Sequence, residues 1–119
     1  MSDLRMGPAE TQFAEIIWAN EPIASGLLSK KAEESLKWKK TTSFTVLKRL
    51  CDRGIFQNIN GMVTSLISRD EFFARHSETY VQETFGGSLP AFLAAFSTRK
   101  KLTHKEIDEM KNLIEQMRG

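Results

Sequence analysis

The sequence predicts a mainly α-helical protein with one β-hairpin, and two observations lead to this prediction. Apolar residues recur at helical spacing through most of the 119 residues. Between residues 55 and 67 the pattern changes, and two short apolar runs flank Asn60-Gly61, the dipeptide that most favours a two-residue hairpin turn. A hydrophobic fraction of 40% and a charged fraction of 27% are typical of a globular protein. The length indicates one small domain, alone or with an appendage.

Composition excludes several classes of protein. A net charge of +2 argues against a protein that coats polyanions in general, so any nucleic-acid site must be a local basic patch. Cys51 is the only cysteine, which excludes internal disulfides and a Cys-rich metal site. No apolar run approaches membrane-spanning length, and the N-terminus does not resemble a signal peptide. We therefore expect a cytoplasmic protein with no metal, no cofactor and no membrane partner.

The first two helices are predicted at residues 9–20 and 23–34. Pro8 precedes the first, where a missing amide proton costs nothing. The sequence Asn20-Glu21-Pro22 separates them. In the second helix we expect three apolar side chains to face inward: Ile23, Leu27 and Leu28.

The third helix is predicted at residues 40–52, ending before Gly54. Its expected buried stripe is Phe44, Leu47, Leu50 and Cys51. The segment 37–54 contains six Lys or Arg residues and one acid, Asp52. Cations and hydroxyls at a helix N-terminus suit phosphates and base edges, because the amide groups and the helix dipole favour anions there. A solvated basic face on an ordinary helix is the other interpretation of this segment.

Two strands are predicted at residues 55–59 and 62–67. A two-residue loop pairs Ile59 with Met62, Gln57 with Thr64, and Ile55 with Leu66. The face that carries these pairs is mostly apolar, so we expect it to pack against the helices. Three helices followed by a hairpin form a winged helix-turn-helix, predicted here at residues 1–70, in which the third helix enters the major groove of DNA.

The remaining residues, 71–119, predict a helical dimerisation region. Ser68 and Glu71 are spaced as a capping box that begins a long fourth helix, and Thr103 and Glu106 are spaced as another before the last helix. A short apolar helix is predicted between them at residues 89–96. So few residues cannot bury their own apolar side chains, which indicates a second copy as partner. The expected dimerisation residues are Phe73, Tyr80, Phe85, Leu89, Phe92, Leu93, Phe96, Ile107, Met110 and Ile114. The alternative is a tail folded back onto the winged helix of a monomer.

Several motifs occur along the chain in a characteristic order. Glu10 and Trp18 occur in the first helix, and Trp38 precedes a T-x-x-T-x-L-x-R-L run that begins at Thr42. Near the end, FGGS leads into LTHKEIDEMKNLIE. Together these motifs resemble the penicillinase repressor family of dimeric winged-helix transcriptional repressors. The resemblance covers nearly the whole chain and implies a cytosolic homodimer that binds double-stranded DNA at a palindromic (dyad) operator and blocks transcription.

Carried over by position, the resemblance implies which residues face DNA. Thr42, Ser43 and Thr45 would lie along the third helix facing DNA, and the cations Lys39, Lys40, Lys48 and Arg49 would lie near phosphates. Thr41 completes the predicted DNA-binding set. For Arg49 a structural role is the alternative, namely an ion pair with an acid of the first or second helix.

The chain departs from the family pattern at three places. No Lys or Arg lies between Gly54 and Arg69, so the hairpin carries no cation for phosphates. Ala95-Phe96 stands where family members controlled by a β-lactam sensor are cut between Asn and Phe. The Cys-x-Cys cluster of copper-responsive relatives has no counterpart, because Cys51 is the only thiol.

No group of residues in the sequence indicates an enzyme. His76 and His104 are isolated on predicted helices, and no Gly-rich phosphate loop follows a strand. The alternative to a DNA-binding repressor is a winged-helix module that docks onto other proteins.

Overall fold

The computed structural model describes residues 5–118, and the mainly α-helical prediction is confirmed. The elements in chain order are α1 (Pro8–Asn20), β1 (Ile23–Ala24), α2 (Ser25–Leu36), α3 (Lys40–Asp52), β2 (Phe56–Ile59), β3 (Met62–Ser65), α4 (Arg69–Phe85), α5 (Leu89–Arg99) and α6 (His104–Met117). Residues 1–4 and 119 lie outside the described residues. The prediction that the N-terminus is no signal peptide, and the outer limits of the two predicted domains, fall partly on these residues.

The chain divides into two compact units, and the division follows Ser77, inside α4. The first unit contains α1 to α3, the strands and the start of α4, which is the predicted winged helix-turn-helix. The second unit contains the end of α4 with α5 and α6. The assignment of residues 1–70 to DNA binding and of 71–119 to dimerisation stays a prediction.

A single apolar core holds the first unit together. Its buried members come from every element of the unit: Phe13, Ala14, Ile17, Ile23, Leu28, Ala32, Val46, Leu47, Leu50, Ile55, Phe56, Val63 and Phe72. Trp18 connects α1 to the rest, because its ring lies 5.3 Å from that of Phe56 and 5.4 Å from that of Phe72. The Trp18 indole N–H donates to the Ile67 carbonyl oxygen at 3.1 Å, so its polar atom has a partner within the packed interior.

The sheet has three antiparallel strands in the order β1-β3-β2. Its first strand, β1, was not predicted, because residues 23 and 24 were assigned to the second helix. Ile23 pairs with Val63 and Ala24 with Met62, contacts about forty residues apart in sequence that helical periodicity does not reveal. Glu21 supports this pairing, since its carboxylate accepts hydrogen bonds from the Ser65 amide at 2.9 Å and the Ser65 hydroxyl at 2.8 Å.

The predicted hairpin register is confirmed, but the predicted inner face is wrong. Ile59 pairs with Met62 and Gln57 with Thr64, as expected. Asn60 and Gly61 form the turn with φ of 52° and 83°, the left-handed values that a two-residue hairpin loop requires. The core side of the hairpin carries Phe56 and Val63, whereas Ile59, Met62 and Leu66 are exposed.

Two inward-facing predictions in the helices are also wrong. Leu27 of α2 is exposed, and so is Phe44 of α3, whose side of the helix turns outward. Ser43 and Val46 occupy the interior instead. Both errors follow from an apolar stripe that is rotated by one residue, because adjacent positions on a helix differ by about 100°.

The second unit is helical, and none of its described residues is fully buried. The helix α5 ends at Arg99, three residues after the predicted end. Thr103 and Glu106 form the complete predicted capping box, and the hydrogen bonds from Thr103 lower the pKa of the Glu106 carboxyl. At the start of α4, in the first unit, Ser68 accepts from the Glu71 amide at 3.1 Å, but the Glu71 carboxylate binds Arg75 at 2.7 Å instead of closing the box.

Candidate nucleic-acid interface

The basic surface begins at the turn between α2 and α3. Lys37 ends α2 with a left-handed backbone (φ 60°), and its amide bonds to carbonyls of the last turn. The next residue, Trp38, packs its ring 5.2 Å from that of Phe13, which anchors the turn on the core. Lys39 is then the N-cap of α3, and Lys40 is its first residue. An anchored turn therefore places both lysines, exposed, at the N-terminus of α3.

The first turn of α3 is open to an anion. No side chain caps it, and it contains no acidic residue. The first amides of a helix have no intrahelical acceptor and lie at the positive end of the dipole. With Lys39 and Lys40 beside them, these amides form a surface whose charge matches a phosphate group.

The exposed side of α3 carries hydroxyls and one more lysine. Thr41, Thr42, Thr45 and Lys48 are all exposed, as the DNA-contact prediction requires. The Thr45 hydroxyl donates to the Thr41 carbonyl oxygen at 2.8 Å, so its oxygen is left to accept hydrogen bonds from other groups. Lys48 lies 3.2 Å from Asp52, an exposed pair of the kind that contributes little to stability.

The structure does not place Ser43 on this surface. Its relative exposure is 2%, and its hydroxyl oxygen has no hydrogen-bond partner among the described residues. It lies on the inner side of α3, next to the core positions Val46 and Leu47. A contact with DNA would require this side chain to leave the interior, so the prediction for Ser43 has no support in the fold.

Arg49 has the internal partner that was the alternative to DNA contact. Its guanidinium lies 3.5 Å from one carboxylate oxygen of Glu10 in α1, and Arg53 lies 3.8 Å from the other. Glu10 and Arg49 were both among the residues that carry the family resemblance, and the structure brings them together. The pair links α1 to α3, and half of the Arg49 side chain is still exposed.

The hairpin presents a neutral surface. Between Gly54 and Arg69 the exposed residues include Ile59, Asn60 and Met62, and none is charged. The surface could therefore offer phosphates neutral hydrogen bonds but no cation, and a contact of the hairpin with DNA stays a prediction.

The predicted dimerisation residues fall into two groups. Phe73 belongs to the first unit, where its ring lies 6.1 Å from Trp18 and beneath the Arg69 guanidinium at 4.8 Å. The other nine lie in the second unit. Among them, Phe92 contacts the rings of Tyr80 at 6.2 Å and Phe85 at 5.6 Å.

The apolar side chains of α5 and α6 are exposed or half-buried. The predicted residues Leu89, Phe96 and Ile114 are exposed, and the others are half-buried: Phe92, Leu93, Ile107 and Met110. Leu113 and Met117 were not in the predicted set, but both are exposed large apolar residues of α6. Residues 107, 110, 114 and 117 follow the a-d spacing, a signal that could have included Met117, and Leu113 lies beside that row.

The described residues 5–118 contain no group of three or more His, Cys, Asp or Glu side chains placed to hold a metal ion. His76 stacks on Phe72 at 5.9 Å between ring centroids. Burial, with a smaller effect of Asp52, raises the pKa of the Cys51 thiol, which makes it a poor nucleophile at neutral pH. None of the helices within residues 5–118 is both long enough and apolar enough to cross a membrane.

Fold and surface together define a winged helix-turn-helix protein whose third helix, α3, is basic and has no side-chain cap at its N-terminus. The family model described as "Penicillinase repressor" matches residues 6–116. The chain therefore belongs to the penicillinase repressor family and is a transcriptional repressor. A curated relative, the penicillinase repressor of Staphylococcus aureus, is 20% identical over 110 residues, covering 89% of this chain and 87% of the relative.

Proposed function

We propose that this repressor is a homodimer that blocks transcription by placing its two α3 helices in successive major grooves of a dyad operator. The observation that carries the proposal is the N-terminus of α3, where Lys39, Lys40 and free amides lie together on an anchored turn. Phosphate contacts of this kind fix the orientation of a protein on DNA, and the helix that follows reads the bases. A cytoplasmic location goes with this role.

The outer face of α3 supplies the groups for that reading. Thr41, Thr42 and Thr45 are exposed, and Lys48 continues the basic character one turn further. Hydroxyls accept from or donate to base edges, and lysine reaches guanine acceptors or phosphates. Arg49 acts mainly through Glu10, holding α3 against α1, and we assign it no base contact.

The second unit is the proposed dimer contact. The helices α5 and α6 contain no buried residue, and α6 exposes Leu113, Ile114 and Met117. A second copy offers the same surface, so a two-fold contact buries both sets at once. Two-fold protein symmetry then matches an operator whose half-sites are about 10 base pairs apart, or a multiple of that.

Salt dependence of duplex binding tests the phosphate contacts. Replacing Lys39 and Lys40 with Ala in the full-length protein should reduce the slope of log affinity against log salt by about two per protomer, since each phosphate contact contributes about 0.9. Fluorescence anisotropy with a labelled duplex measures this slope between about 50 and 300 mM salt.

The matched control removes two lysines elsewhere. Lys100 and Lys101 are adjacent, exposed and distant in sequence from α3, so their double Ala variant loses the same charge. It should keep the slope of the unmodified protein. Equal slopes for all three proteins would contradict the assignment of Lys39 and Lys40, and no binding to any duplex would favour the protein-docking module.

A further inference from the structure

Phe44 is an aromatic side chain on the solvent side of α3. Its relative exposure is 36%, whereas Val46 and Leu47 are buried at 6% and 3%. All residues of α3 are described, and Phe44 is the only large apolar side chain among them that is exposed. About a third of the Phe44 side chain is left in water on a charged helix face, and that part gains nothing for the stability of the fold.

The ring lies in the middle of the surface that is proposed to meet DNA. Residues 40, 44 and 48 are four positions apart, so Phe44 lies in one row between Lys40 and Lys48. The Lys40 ammonium is 5.8 Å from the ring centroid, within the range of a cation–π contact. Thr41 and Thr45 form the neighbouring row on the same side of the helix. A recognition helix cannot enter a groove with these residues without bringing Phe44 close to the bases.

The chemistry of the major groove limits what Phe44 can contact there. Base edges in that groove present hydrogen-bond donors and acceptors, together with a single apolar group, the 5-methyl of thymine. A phenyl ring placed against a donor or acceptor removes its water without replacing the hydrogen bond, which is unfavourable. Stacking on a base face requires an unstacked base, as in single strands, and a duplex does not offer one.

We infer that Phe44 is a specificity-determining residue that packs against a thymine 5-methyl group in each half-site. Lys40 steadies the ring through the cation–π contact, and the apolar contact selects thymine over cytosine, adenine and guanine at that position. This inference rests on the proposed function and adds the identity of one operator base per half-site.

Uracil substitution tests this inference, since deoxyuridine lacks only the methyl group of thymine. A duplex is first selected from a random pool with the full-length protein at low ionic strength, and each of its thymines is then replaced in turn. At one symmetric pair of positions, replacing a single thymine with uracil should weaken binding about fourfold, because the free energy of burying one methyl group is lost. Replacing both should cost roughly 16-fold, because distant sites contribute independently.

The variant Phe44→Ala assigns that loss to the ring. It should bind the selected duplex more weakly and lose no further affinity when the critical thymines become uracil. Circular dichroism should show an unchanged fold, because the replaced side chain lies outside the buried core. The control Ile59→Ala removes another exposed apolar side chain, on the hairpin, and should keep the full sensitivity to uracil.

Two results would overturn the inference. One is a uracil sensitivity that is the same in Phe44→Ala as in the unmodified protein, and the other is no sensitivity at any thymine. In both cases DNA binding itself is intact, so the proposed function survives. Failure to select any duplex removes the proposed function and this inference together.

Discussion

The two units of the chain use their apolar residues in opposite ways. Up to Ser77, side chains from four helices and three strands converge on one buried core. From Glu78 onward, no described residue is fully buried, although Phe92, Leu113 and Ile114 are as apolar as any core residue. The first unit therefore has its own source of stability, and the second has exposed apolar surface that the proposed second copy would cover. The first unit is the part that is proposed to bind DNA, and the second unit is the part that is proposed to hold two copies of the chain together.

The largest expected effect concerns the core of the first unit. Leu50 is 0% exposed at the centre of α3's inner face, so Leu50→Ala should lower the free energy of unfolding by about 2–5 kcal/mol through lost burial and a residual cavity. Urea unfolding followed by tryptophan fluorescence measures this change in the free energy of unfolding, because Trp18 and Trp38 belong to this unit and pack against its core.

The control for this variant replaces an exposed leucine of the same unit with alanine. Leu27 is exposed, so Leu27→Ala should change the free energy of unfolding by no more than about 0.5 kcal/mol. Equal destabilisation by both variants would contradict the core as described.

A smaller effect is expected in the second unit, and it should appear in association. Leu113 is 55% exposed on α6, and Leu113→Glu would place a carboxylate in the proposed dimer contact. We expect the dissociation constant of the dimer to rise at least about 30-fold, which corresponds to roughly 2 kcal/mol. Sedimentation equilibrium over a range of protein concentrations measures this change.

Asn112→Glu is the matched control on the other side of α6. It adds the same charge one residue away, outside the apolar stripe of this helix. Its dissociation constant should stay within about twofold of the original. If both variants remain as dimeric as the original chain, α6 is not the dimer contact.

The sequence predicted the elements of the fold more accurately than the orientation of single side chains. The limits of α3, the hairpin register and the Thr103 capping box depend on local patterns of a few residues, and the structure confirms them. The strand β1 was missed because it exists only through pairing with β3, a contact between distant parts of the chain. Local periodicity carries no information about such pairing.

The exposed face of α3 that the sequence predicts differs from the observed face by a rotation of about one residue. Lys39, Lys40, Thr41, Thr42, Thr45 and Lys48 are exposed as the sequence indicates, whereas Ser43 and Phe44 exchange their expected sides. Residue type suggested a buried phenyl and an exposed hydroxyl, but the packing of Val46, Leu47 and Leu50 determines the rotation of the helix. The outward position of Phe44 is also the observation from which its contact with DNA is inferred.

Selection from a random pool of duplexes, with the full-length protein at low ionic strength, tests the central claim most directly. Enrichment of an inverted repeat is expected, with half-sites about 10 base pairs apart or a multiple of that. The Lys39→Ala, Lys40→Ala double variant should bind the enriched duplex more weakly. A protein that enriches no duplex sequence and binds all duplexes equally weakly would contradict the claim that α3 reads an operator.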